Sequence, residues 1–88
     1  MEVSLITIVN NEKVFDDFKK NLRTQKKVDY ELIPIDNKKN QYDSARIALD
    51  VGAQKAHGNY LIFLHPDIRF LDDFSLNSIV DYVRKIDD

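Results

Sequence analysis

Cysteine is absent from this 88-residue sequence, which excludes disulfides and any zinc site built on thiolates. Glycine occurs twice, at Gly52 and Gly58. Neither a G-x-G-x-x-G turn nor a P-loop can be written with two glycines. No apolar run approaches the ~20 residues of a membrane-spanning helix. A secretory leader is not expected either, because acidic Glu2 follows Met1 and the run Leu5 to Val9 is too short. An excess of one charge is also missing: 13 basic against 15 acidic residues leave a net −2. That balance gives no electrostatic footprint for nucleic acid. The expected compartment is the cytoplasm.

What is present fits one small folded domain over residues 1–88. Hydrophobic residues make up 43% of the chain, too many for disorder, and the length allows one modest core. Val3 to Val9 (VSLITIV) is β-branched and nearly continuous, as in a strand covered on both faces. Tyr60 to Leu64 (YLIFL) is also continuous and reads as central. Tyr30 to Ile35 (YELIPI) contains Pro34, which belongs on an edge.

Helical periodicity fills the intervals. The apolar sets are Val14, Phe15, Phe18, Leu22; Ala45, Ala48, Leu49, Gly52, Ala56; and Leu76, Ile79, Val80, Val83, Ile86. Gly58 is placed to end the second helix in a left-handed conformation, and Ser75 to cap the third. Tyr30, Tyr42, Tyr60 and Tyr82 read as packing at the core edge. The expected fold is α/β, β-α-β-α-β-α. It has three α/β/α layers around a small parallel sheet of order 2-1-3.

Ligands of open α/β sheets bind at the carboxyl ends of the strands. Polar clusters stand at all three: Asn10-Asn11-Glu12, Asp36-Asn37 and His65-Pro66-Asp67. The loop Asp36 to Asp43 is the most polar stretch. Each residue also has a structural role open to it. Asn10 can cap the first helix, Glu12 can favour its dipole, and Asp36 and Asp67 suit turns. Without a glycine cradle, a bound diphosphate would need a bridging cation held by carboxylate oxygens.

Three segments resemble, in order, the N-terminal half of family 2 glycosyltransferases with the GT-A fold: VSLITIVNNE, YELIPIDN and DVGAQKAHGNYLIFLHPD. The third is similar to the family's N-x-G-x-x-x-A-x-G-x-Y-x-x-F-L-D-x-D, with Gly52, Ala56, Gly58, Tyr60, Phe63, Leu64 and Asp67 in register. Asp50 stands where the family usually has Asn, Leu49 where Arg is common, and Val9 where Tyr is usual. His65 replaces the first Asp of D-x-D, as in H-x-D branches. The resemblance implies a nucleotide-diphosphate-sugar-binding part of an inverting transferase. Its donor contacts would be Val9, Asn10, Asp36, Asn37, Arg46 (in place of the Arg expected at 49), Asp50 and His65. It further implies Mg²⁺ or Mn²⁺ on Asp67, assisted by His65. The family's acceptor site and general base lie in a second half, so the 88 residues are expected to be inactive alone. Surfaces that such a half would cover are expected to be open, giving a homodimer or higher assembly. The alternative is a non-catalytic flavodoxin-like regulatory or interaction module.

Overall fold

A computed structural model describes residues 2–39, 42 and 44–87. The expected loop at 40, 41 and 43, and Asp88, lie outside them. The elements are β1 (Val3–Val9), α1 (Glu12–Leu22), β2 (Tyr30–Asp36), α2 (Ala45–Gln54), β3 (Tyr60–Leu64) and α3 (Ser75–Asp87). The three strands are parallel in the order β2-β1-β3. The chain steps from β1 outward to β2, then back across β1 to β3. At constant crossover hand this reversal puts α1 and α2 on opposite faces.

β1 alternates between two cores. Val3, Leu5 and Val9 pack with Phe15, Phe18 and Leu22 of α1 and Leu76 and Val80 of α3. Ile6 packs with Ile33 and Ile35 of β2 and Ala48 of α2. Gly52 lets α2 lie close to the sheet, since a Cβ there would come within 2.5 Å of Ile6 Cγ2. Thr7 is fully buried, and its hydroxyl has no hydrogen-bond partner among the described residues.

Several local expectations are corrected. β3 is an edge strand, with Leu61 and Phe63 exposed on the face that α2 leaves uncovered. Its continuous apolar sequence therefore reports an open surface, not a second covered face. Asn11, not Asn10, caps α1, accepting from Val14 N at 3.1 Å. Gly58 has no positive φ, and α2 has already ended at Gln54. Gly58 is required instead by close approach: a Cβ would stand 2.6 Å from Ser4 N and 2.7 Å from Val3 C.

Ser75 does not cap α3. Its hydroxyl turns back to the Asp72 carboxylate, and Gln25 Oε1 accepts from Leu76 N at 2.8 Å. Gln25 also donates to Asp72 O at 2.7 Å, while Asn21 pairs with both backbone groups of Phe70. Thus the C-terminal end of α1 secures the segment leading into α3. On α3, Leu76 and Val80 are buried but Ile79, Tyr82 and Ile86 face solvent. The apolar stripe is wider than the core it meets.

Candidate functional site at the carboxyl rim

Parallel pairing brings the carboxyl ends of all three strands to one rim. Across it lies an open cleft of about 630 Å³. Asn10 follows β1, Asn37 and Lys38 follow β2, and His65 and Pro66 follow β3; all five line it, with Ser44 at the start of α2 opposite. A smaller cleft of about 190 Å³ adjoins it, walled by Asn10, His65, Pro66 and Asp67. Asn10 and His65-Pro66 therefore form the divide between the two.

The loop after β2 is built by side chain to backbone bonds. Asp36 Oδ1 accepts from Lys38 N at 3.0 Å, an Asx turn. Asn37 donates its backbone N–H to Val9 O at 2.8 Å, and its Oδ1 accepts from Tyr42 N at 3.1 Å. Lys38 Nζ lies 2.5 Å from Glu12 Oε2 and 3.9 Å from Asp36 Oδ2. The hydrogen bond that the ammonium donates to Glu12 raises the Lys38 pKa above the ordinary lysine value, so the ammonium is held charged.

Not every expected residue reaches the clefts. Asn10, Asn37 and His65 meet at the larger one, and Asp67 lines the smaller. Asp36 is exposed beside them as the turn former. The Val9 side chain is 3% exposed and belongs to the core, so its part at the rim is its carbonyl, which anchors Asn37. Arg46 and Asp50 are exposed on α2 and line neither cleft.

Among the described residues no group of three or more His, Asp or Glu side chains gathers to hold a metal. His65 and Asp67 offer two donors flanking Pro66 on one wall. That set fits a Mg²⁺ or Mn²⁺ bound through one carboxylate and completed by phosphate oxygens and water, and does not fit a closed all-protein site.

Lys38 was not singled out by sequence, although it sits in the polar stretch directly after a strand end, where ligand contacts concentrate. A second polar group lies at the amino end of the sheet, away from the rim. Ser4 Oγ donates to Glu31 at 2.5 Å and accepts from Gly58 N at 2.8 Å, and Glu31 accepts from His57 N at 2.6 Å. The Ser4 hydroxyl first, then the His57 amide, hold Glu31 down to about 2. Its role is to lock the turn between α2 and β3 against β1 and β2.

No protein-family model matches this chain, and comparison with curated proteins finds no match. Among the described residues no helix is long and apolar enough to cross a membrane.

Proposed function

We propose that this chain is the nucleotide-diphosphate-sugar-binding portion of an inverting, cytoplasmic glycosyltransferase that transfers a sugar to an acceptor hydroxyl. The observation that supports it is the 630 Å³ cleft formed by loops from all three parallel strand ends, within the usual size of a small-molecule site. The sequence pattern ending in His65-Pro66-Asp67 supplies the chemical class. In this reading Asp36 and Asn10 hold the base and ribose, with Asn37 fixing the loop between them. Asp67, with His65, would hold the divalent cation. A bound cation supplies Lewis-acid stabilisation of the leaving nucleoside diphosphate. Arg46 and Asp50 line neither cleft and are given no role in this reading, and neither the acceptor site nor the general base is assigned to these residues.

Calorimetric titration with UDP- and GDP-sugars in Mn²⁺ tests it. Saturable binding that weakens in Asp67→Ala is expected. A folded sample that binds neither, or that binds equally well without the Asp67 carboxylate, rules the reading out.

A second reading, a non-catalytic flavodoxin-like interaction module, is favoured by one observation. Leu61 and Phe63 of β3 and, separately, Ile79, Tyr82 and Ile86 of α3 are exposed, and exposed apolar surface marks association sites. The partner in that reading is a second copy, forming a homodimer or higher assembly.

A further inference from the structure

The rim cleft runs against the composition of the chain. Acidic residues outnumber basic ones in the sequence, 15 to 13. Yet among the described residues no Asp or Glu lines the larger cleft, and two lining side chains can carry positive charge, Lys38 and His65. A polar cavity whose described walls carry a lysine and no carboxylate suits an anionic ligand.

Lys38 is the fixed charge of that pair. Its chain forms part of the cleft wall, while its ammonium is held by Glu12 at 2.5 Å, with Asp36 Oδ2 3.9 Å away; neither carboxylate is among the lining residues. Glu12 is the first residue of α1 and Lys38 belongs to the loop after β2, so the ion pair spans the ends of two neighbouring strands. Both side chains are substantially exposed. A lysine stem is long and freely rotating, so the ammonium can move from Glu12 to a group inside the cleft without backbone movement. Arg46, on α2, is not among the lining residues.

We propose that Lys38 is the residue that contacts the diphosphate in the larger cleft, and that Glu12 competes with the ligand for it. The choice of diphosphate rests on the function proposed above; the cation and its competitor rest on the geometry alone. An incoming diphosphate takes the ammonium and returns the Glu12 carboxylate to water. A diphosphate carries more charge than the single carboxylate it displaces, so the exchange favours the ligand.

The test is calorimetric titration with inorganic pyrophosphate and, separately, with UDP. Both are run at low ionic strength without divalent cations, so that Asp67 is not engaged. Lys38→Met is expected to weaken binding of both probes about tenfold or more, the usual worth of one charge-assisted hydrogen bond. Glu12→Gln is expected to tighten binding about threefold, and to have no effect in the Lys38→Met background. Lys55→Met, a charge removal away from the rim, is the control. Equal affinity in wild type and Lys38→Met overturns the proposal, and so does a Glu12→Gln effect that persists without Lys38. Lys38-dependent pyrophosphate binding with no preference for UDP keeps the proposal and removes the nucleotide-sugar reading. UDP binding indifferent to Lys38 does the reverse. Failure of folded protein to bind either probe overturns the proposal and leaves the nucleotide-sugar reading to the titration in Mn²⁺ described above.

Discussion

Gly58→Ala isolates steric fit from backbone conformation. Gly58 has no positive φ, so alanine can adopt its backbone geometry without strain. The obstacle is its surroundings. The added methyl would lie 2.6 Å from Ser4 N, 2.7 Å from Val3 C and 2.8 Å from Ser4 Oγ. Two of these three atoms are backbone of the central strand, which is paired on both sides and cannot yield. Relief must come from moving the turn before β3, at an overpacking cost of about 1–3 kcal/mol. That movement also stretches the 2.8 Å bond from Gly58 N to Ser4 Oγ, worth about 1 kcal/mol. The smaller entropy of the unfolded alanine chain returns about 0.4–1 kcal/mol. The net loss is roughly 1–3 kcal/mol, or about 5–20 °C in Tm for a domain of this size. Thermal melts followed by circular dichroism, with exposed Asn59→Ala as the control, measure it. A Gly58→Ala melt superimposable on wild type would show that the close approach is not a constraint.

Glu31 gives a pH signature with a defined sign. Its folded pKa is near 2 against the usual 4.5, so its contribution is complete above 4.5 and lost as pH falls toward 2. Melts between pH 5 and 2 should fall less steeply in Glu31→Gln; identical slopes would refute the role. Thr7→Val removes a buried hydroxyl that has no partner among the described residues, and should raise stability by about 1 kcal/mol; a lower Tm would mean that the hydroxyl is used. Light scattering on concentrated wild type should give at least a dimer mass, and Phe63→Lys a monomer; a monomeric wild type would contradict association through the exposed face of β3.

The sheet order and the meeting of polar clusters at one rim were legible in sequence. Both depend on local periodicity and on the rule that parallel strands end together. What stayed hidden depends on partners far apart in sequence. Gln25 caps α3 across about 50 residues, and no spacing rule near Ser75 announces it. β3 looked central because apolar continuity records the absence of polar residues, not the presence of a covering layer. Asn10 was the expected cap of α1, but Asn11 accepts from Val14 N, which leaves Asn10 for the clefts. Arg46 was expected to replace, from almost a turn earlier on α2, the Arg missing at 49, yet the fixed cation lining the cleft is Lys38, delivered by the loop after β2.

The central position of β1 also shapes the chain's synthesis. Of the three strands, the first to be made is the one that must finish with neighbours on both sides. Its second neighbour is complete only after about 55 further residues, several seconds later at ordinary rates of translation. Throughout that interval VSLITIV, a segment rich in β-branched residues and free of charge, keeps one edge bare. The nascent chain is therefore most vulnerable to pairing with a stranger through the very strand that is best protected once folding is done.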